Sequence, residues 1–226
     1  MPDEGRSATE RTIETQTHGR YLVLPGSDSS RPLLLVGFHG YGETAEDELK
    51  RLRELPGSDR WTLVSVQGLH QFYRRRTNEI VASWMTRQNR ELAIADNVAY
   101  VARVIRALSD ERSAGSALVL AGFSQGVAMA FRAAATLDRR IAGVIACGGD
   151  VPPELDAKAL ARIPSVLIGR GVRDEWYTAE KLASDERRLR AAGVVVETVI
   201  LDAAHDWTPE FAGAGARFIE SSLAQQ

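Results

Sequence analysis

The stretch LVLAGFSQGVAMAF, residues 118–131, decides the fold of this chain. A short apolar run ends at Gly122, and Ser124 stands between Gly122 and Gly126 before a second apolar run begins. The first run has the length of a buried strand, and the second has the apolar character of a packed helix. Between them G-x-S-x-G is typical of a sharp turn that holds a serine in a strained conformation with its Oγ exposed. The stretch therefore predicts a strand, a tight turn and a helix, with a candidate nucleophile at the joint. The alternative is a serine that only caps the helix in a glycine-rich turn.

Further short apolar runs occur on both sides of this stretch. They are GRYLVLP (19–25), RPLLLVGFHG (31–40), WTLVSVQG (61–68), IAGVIACGG (141–149), IPSVLIGRG (163–171) and VVVETVILDAAH (194–205). Nearly continuous apolar character is typical of strands that helices cover on both faces. Helix-like stretches lie between most of these runs, so the pattern predicts an α/β fold with a doubly wound, mostly parallel sheet and helices on both faces. The runs near residues 11–24 predict an antiparallel hairpin at one edge of the sheet.

Length and composition indicate a single α/β domain over residues 11–226 that follows a flexible tail over residues 1–10. The chain has 226 residues, of which 44% are hydrophobic and 26% charged, and its formal net charge is -2. The near-neutral charge gives no sign of a nucleic-acid partner, and no apolar run approaches the 18 or so residues of a membrane span. The single cysteine, Cys147, allows no internal disulfide, and the polar N-terminus lacks the apolar centre of a secretion signal. We therefore expect a cytoplasmic protein, and the sequence is compatible with a homodimer without determining the oligomeric state.

A nucleophilic serine needs a histidine base, and that base needs an acid to orient it. Of the four histidines only His205 follows Ser124, and it lies in a loop after the last strand-like run. Parallel sheets place their sites beyond the carboxyl ends of the strands. Asp150 and Asp174 each follow a strand-like run between Ser124 and His205, so either could be the acid. Asp202 is only three residues before His205 and is too close to reach around its ring.

An acyl-transfer site also needs donors for the oxyanion of the tetrahedral intermediate. One donor is expected from the backbone N–H of Gln125, the residue after the serine. The other is expected from the loop after an early strand, where residues 39–42 read His-Gly-Tyr-Gly. Glycines on both sides of Tyr41 let its N–H face a ligand, although a tight turn at the end of a buried strand is the alternative.

Taken together, these segments resemble the phospholipase/carboxylesterase group of the α/β-hydrolases, which includes acyl-protein thioesterases and small bacterial carboxylesterases. The matching residues are FHGYGE (38–43), Ser83-Trp84, GFSQG (122–126), GRGVRD (169–174) and AAH (203–205). The resemblance covers about residues 30–225 and implies the α/β-hydrolase fold. It implies a role for each matching position: nucleophile Ser124, acid Asp174, base His205, oxyanion donors Tyr41 and Gln125, and a tryptophan lining the acyl site, Trp84.

The expected function is that of a serine hydrolase that cleaves carboxylic esters or thioesters of short to medium acyl chain through an acyl-enzyme. The expected partner is thus a small-molecule ester or thioester, with no metal and no organic cofactor, because no paired His or Cys spacing and no dinucleotide motif is present. The connection from Leu69 to Asn89 is expected to be irregular and to serve an open, shallow site. Its arginines Arg74, Arg75 and Arg76 are either solvated or attract an anionic group. The alternatives are a non-catalytic ligand-binding protein on the same fold, and a dienelactone-hydrolase-like or peptidase-like enzyme.

Overall fold

The computed structural model describes residues 8–28, 32–111 and 117–224, so residues 1–7 of the expected tail lie outside the described part. The strands, in chain order, are β1 (Tyr21–Leu24), β2 (Leu33–Phe38), β3 (Thr62–Val66), β4 (His70–Tyr73), β5 (Ile80–Ser83), β6 (Ala117–Phe123), β7 (Gly143–Cys147), β8 (Ser165–Gly171) and β9 (Val195–Leu201). Seven of them form one sheet in the order β1-β3-β2-β6-β7-β8-β9, and β4 pairs with β5 in a separate two-stranded ribbon. The main sheet is parallel from β3 to β9.

Helices cover both faces of this sheet. They are α1 (Ala45–Arg53), α2 (Arg90–Glu111), α3 (Gln125–Thr136), α4 (Ala157–Leu160), α5 (Ala179–Ala191) and α6 (Pro209–Ala224). Leu34 and Val36 belong to a hydrophobic cluster with residues of α2, α3 and α5, whereas Leu33 and Leu35 belong to a second cluster with residues of α1 and α6. Successive side chains of a strand point to opposite faces, so a continuous apolar run supplies both clusters. The predicted doubly wound α/β fold is confirmed.

The first edge of the sheet is antiparallel, as predicted, but it is not a hairpin. β1 pairs with β3, and Tyr21 lies opposite Val66. Residues 11–20, which were expected to supply the other strand of a hairpin, form no regular element, and neither do residues 8–10. They are almost entirely polar and exposed, so pairing them would bury little apolar surface.

The connection between β3 and α2 is more ordered than the sequence indicated. Its β4–β5 ribbon closes through a turn in which Arg74 N donates to Glu79 O at 2.9 Å. The ribbon is tied to the loop after β2, because Gly42 N donates to Ala82 O and Ala82 N donates to Glu43 O, both at 2.9 Å. It therefore fixes one side of that loop instead of lying free on the surface.

The strand order sets the position of the site. From β2 the chain moves outward to β3, then returns to place β6 on the other side of β2. The connections that leave β2 and β6 therefore diverge and open a crevice at the carboxyl ends of these two strands. Phe38 and Gly122 are register partners there, so the segments after them start side by side. In the described ranges no helix is long and apolar enough to cross a membrane.

Candidate active site

Ser124 lies at the joint between β6 and α3 in a strained backbone conformation. Its φ is 52° and its ψ is -120°, a region that residues other than glycine rarely occupy. A Cβ on Gly122 would lie 2.5 Å from Gly126 O, and one on Gly126 would lie 1.8 Å from Phe38 O. Only glycine fits at these two positions, so the close packing of strand and helix holds the turn. Ser124 is the N-cap residue of α3, yet its side chain makes no capping hydrogen bond.

The hydroxyl of Ser124 instead contacts a histidine and, through it, a carboxylate. His205 Nε2 is 2.8 Å from Ser124 Oγ, and His205 Nδ1 is 2.8 Å from Asp174 Oδ2. Asp174 lies in the loop after β8, and His205 lies in the loop after β9. Three loops at the same edge of the sheet thus bring together residues that are far apart in the sequence.

Asp174 is almost completely buried and fully hydrogen-bonded. Its Oδ1 accepts hydrogen bonds from Trp176 N at 2.8 Å and from Tyr177 N at 2.9 Å, which leaves Oδ2 for the imidazole. The other candidate acid, Asp150, points elsewhere and pairs with Lys181 Nζ at 3.1 Å. Of the two alternatives that the sequence left open, the structure therefore places only Asp174 against His205.

Two backbone amides, one in the loop after β2 and one in the turn after β6, are free to act as donors. Neither Tyr41 N nor Gln125 N has a hydrogen-bond partner within the part of the chain that the structure describes. The side chain of Gln125 is held firmly, because its Oε1 accepts from Trp84 N at 2.9 Å and its Nε2 donates to Met85 O at 3.2 Å. The phenol ring of Tyr41 lies outside, stacked against Phe72 with ring centroids 5.6 Å apart.

A buried histidine supports the loop that carries Tyr41. His39 Nε2 accepts a hydrogen bond from Gly68 N at 3.0 Å, so the ring proton is on Nδ1, which donates to Gly40 O at 2.7 Å. Burial lowers the pKa of His39, which agrees with a neutral imidazole. His39 thus joins the loops after β2 and β3 and does not take part in proton transfer at Ser124.

Trp84 does not line the space beside Ser124, contrary to the expectation from the family resemblance. Its side chain has no exposed surface. The indole Nε1 donates to His39 O at 2.8 Å, and the ring packs against His39 with centroids 5.1 Å apart. An indole at this depth needs an acceptor for its N–H, and the carbonyl of the loop after β2 supplies it. Trp84 therefore supports the loop from below, and the next residue, Met85, reaches the cavity.

A charged network that the sequence analysis missed holds the same loop from the other side. Glu43 Oε2 accepts from Gly40 N at 2.7 Å and from Arg51 Nη1 at 2.8 Å. Arg51 also donates to Glu48 at 3.2 Å, and its guanidinium lies 4.2 Å above the ring of Phe123. Glu48 is completely buried, and burial raises the pKa of its carboxyl to about 8. The sequence offered one sign of this network, Glu43 at the end of FHGYGE. The rest could not be predicted because it depends on how α1 packs against the loop.

Ser124 opens into a cavity of about 270 Å³. Gln125 and Ala128 form one wall, Met85 lies nearby, and Trp176 stands at the rim with three quarters of its surface exposed. A larger cavity of about 820 Å³ lies between the N-terminal segment and α2, but none of the residues around Ser124 lines it. The smaller cavity is therefore the candidate binding site.

The strand order and the strained serine turn, with its histidine and aspartate, are those of an α/β-hydrolase. The chain belongs to the phospholipase/carboxylesterase family, whose sequence profile matches residues 20–222. No curated protein sequence matches the chain significantly.

Solved structures of hydrolases share this fold at low sequence identity. Zea mays acyl-protein thioesterase 2 superposes with a TM-score of 0.70 at 17% identity and covers 91% of this chain and 100% of its own. Esterase PE8 has a TM-score of 0.70 at 23% identity, over 91% and 99% of the two chains. The Bacillus cereus carboxylesterase has a TM-score of 0.71 at 18% identity, over 90% and 94%.

Proposed function

We propose that this chain is a serine hydrolase that cleaves carboxylic esters or thioesters of short to medium acyl chain through a covalent acyl-enzyme. The observation that carries the proposal is the continuous pair of contacts from Ser124 Oγ to His205 and from His205 to Asp174, each 2.8 Å long. A structural serine in a glycine-rich turn would have no need of a strained φ or of a buried carboxylate behind the histidine.

In the first half-reaction Ser124 is the nucleophile. The Asp174 carboxylate accepts a hydrogen bond from Nδ1–H of His205 and holds the proton on that nitrogen, so Nε2 is left free to take the proton of the serine hydroxyl. Oγ then attacks the carbonyl carbon, and the amides of Tyr41 and Gln125 donate to the negative oxygen of the tetrahedral intermediate. The imidazolium of His205 passes its proton to the leaving alcohol or thiol, and the acyl group stays on Ser124.

In the second half-reaction the same residues hydrolyse the acyl-enzyme. His205 takes a proton from a water molecule, the resulting hydroxide attacks the acyl carbonyl, and the intermediate is again stabilised by Tyr41 N and Gln125 N. Collapse of the intermediate returns the proton to Ser124 Oγ and releases the carboxylic acid. Apart from this water molecule, every group in the two half-reactions is a side chain or a backbone amide of the chain.

The proposed range of acyl chains follows from the cavity beside Ser124. About 270 Å³ is at the lower end of the volumes that small-molecule sites usually have. The rim is open, and no helix is inserted between β6 and β9 beyond the short α4 and the crossover helices. These features support turnover of dissolved esters with small acyl groups.

Labelling with a fluorophosphonate probe tests the nucleophile. We expect stoichiometric labelling of the wild type, none of Ser124→Ala, and normal labelling of Ser221→Ala, which changes an exposed serine on α6. Hydrolysis of p-nitrophenyl butyrate should be lost in the same variant that loses labelling. If the wild-type chain binds this ester without turnover, it is a ligand-binding protein and the proposal is wrong.

A further inference from the structure

The cavity beside Ser124 is lined by an unusual number of cations. Arg90, Arg132 and Lys181 line it, and Asp150 is the one acidic side chain among the described residues of its lining. A small apolar acyl group would gain nothing from such a lining, because charged side chains are costly to leave without water or a counter-charge. The charges therefore bear on which substrate the site accepts.

Two of these cations are already paired within the protein. Lys181 Nζ lies 3.1 Å from Asp150 Oδ2 and 2.8 Å from Trp176 O. Arg132 pairs with Glu154, whose Oε1 lies 2.6 Å from Nη2. Arg90, at the start of α2, makes no direct hydrogen bond or ion pair with the residues that the structure describes, and the Glu154 carboxylate acts on it at longer range. Glu154 therefore faces two guanidinium groups with a single negative charge, so the lining together with Glu154 carries one more positive than negative charge.

Arg132 also has one poorly satisfied donor although it is nearly buried. Only 3% of its surface is exposed, and its Nη1 points to Met85 Sδ at 3.8 Å, a weak acceptor. Gln125, Ala128 and Arg132 follow one another at helical spacings of three and four residues, so they share the face of α3 that lines the cavity. A good acceptor entering between Arg132 and Arg90 would replace a poor contact with a charge-assisted one.

We propose that this end of the cavity binds a carboxylate on the acyl group, so that the preferred substrates are half-esters or half-thioesters of dicarboxylic acids. This inference rests on the proposed function, because it concerns the acyl group that Ser124 receives. Arg132 lies seven positions after Gln125, about 10 Å further along the helix axis, and its side chain leans back towards the N-terminus of α3. The guanidinium therefore lies less than about 10 Å along the axis from Gln125, a length that an acyl chain of about six carbon atoms can span.

The test compares two methyl esters with six-carbon acyl groups that differ in charge, monomethyl adipate and methyl hexanoate, by measuring methanol release. The wild type should hydrolyse the adipate half-ester with the higher kcat/KM. Arg90→Gln should lower the adipate-to-hexanoate ratio by about 10-fold or more, because a hydrogen bond to a charged group is lost. The control is Arg87→Gln, which changes an exposed arginine three positions before Arg90. It should leave the adipate-to-hexanoate ratio unchanged.

Arg132→Gln provides a second measurement. It should lower the ratio as well, and circular dichroism should show that both variants fold. If the wild type shows no preference for the half-ester, or if Arg90→Gln and Arg87→Gln have the same ratio, the inference is wrong while Ser124-dependent hydrolysis of both esters still upholds the proposed function. If neither ester is hydrolysed and no fluorophosphonate label is bound, the proposed function itself fails.

Discussion

Replacing Asp174 by asparagine should disable the proposed site without unfolding the chain. Asp174 Oδ1 accepts two backbone N–H groups, from Trp176 and Tyr177, so the amide oxygen of asparagine must occupy that position. The amide NH₂ then takes the place of Oδ2 and faces His205 Nδ1, 2.8 Å away in the wild type. Two donors cannot face each other, so the ring proton moves to Nε2. That nitrogen then donates to Ser124 Oγ and no longer accepts its proton.

The expected loss follows from this wrong tautomer. The same substitution in a serine protease triad lowers kcat by about 10⁴-fold, which corresponds to about 5 kcal/mol of transition-state stabilisation. The geometry around Asp174 gives no route by which asparagine could restore the acceptor, so we expect a loss of the same order here. Tyr41 and Gln125 remain in place and should leave residual turnover above the uncatalysed rate.

The assay is kcat for p-nitrophenyl butyrate, with background hydrolysis subtracted and circular dichroism confirming the fold of each variant. Asp150→Asn is the matched comparison, because Asp150 was the other candidate acid and half of its side chain is exposed beside Lys181. The kcat of Asp150→Asn should fall by less than about tenfold, since this substitution removes only an exposed ion pair. If Asp150→Asn is the crippled variant and Asp174→Asn stays within tenfold of the wild type, the assignment of the acid is wrong.

Three further variants test the support of the site. Burial raises the pKa of Glu48 to about 8 from 4.5, so the stability it gives is complete below about pH 4.5 and is lost as the pH rises through about 8. In urea denaturation, the free energy of unfolding of Glu48→Gln should rise by about 3 kcal/mol relative to that of the wild type between pH 5 and pH 8. An equal difference between the two proteins at both pH values would contradict this. Trp84→Phe leaves His39 O without its hydrogen-bond donor. It should lower the free energy of unfolding in urea by about 2–4 kcal/mol and should also lower kcat. An unchanged free energy of unfolding would show that the indole N–H is not needed. Gly126→Ala forces a Cβ to within 1.8 Å of Phe38 O and should abolish ester hydrolysis. The control Gly213→Ala, whose Cβ would first meet Arg217 at 3.5 Å, should keep this activity. An active Gly126→Ala would refute the packing argument.

Most of the fold was predictable because its strands are short apolar runs with helices between them. The central strands are buried on both faces, so their local sequence is apolar whatever their partners are, whereas the edge strands β1 and β9 are only partly buried. The antiparallel edge was predicted correctly, but the hairpin was wrong, because β1 takes its partner from β3 and not from residues 8–20. The β4–β5 ribbon was missed because β4 is exposed and carries no apolar run.

Within the candidate site, chain order and turn chemistry were enough to select Ser124 and His205. The strained turn needs glycine on both sides, and only one histidine follows it, so local rules left a single choice. The choice between Asp150 and Asp174 could not be made from the residues alone. Both follow strands, and only the packing of the loops after β7 and β8 decides which carboxylate faces the imidazole.

The sequence by itself thus determined the order of strands and helices and the turn that presents Ser124, because both depend on neighbours within a few residues. Only the tertiary structure decided that Trp84 lies under the loop after β2 instead of in the cavity, and that Glu43, Arg51 and Glu48 form a network on the other side of that loop. It also decided that Arg90 and Arg132 face the same cavity as Ser124. Some of these contacts join residues tens of positions apart, such as Trp84 and His39, and the energies of all of them depend on distance, burial and charge, which a one-dimensional pattern does not contain.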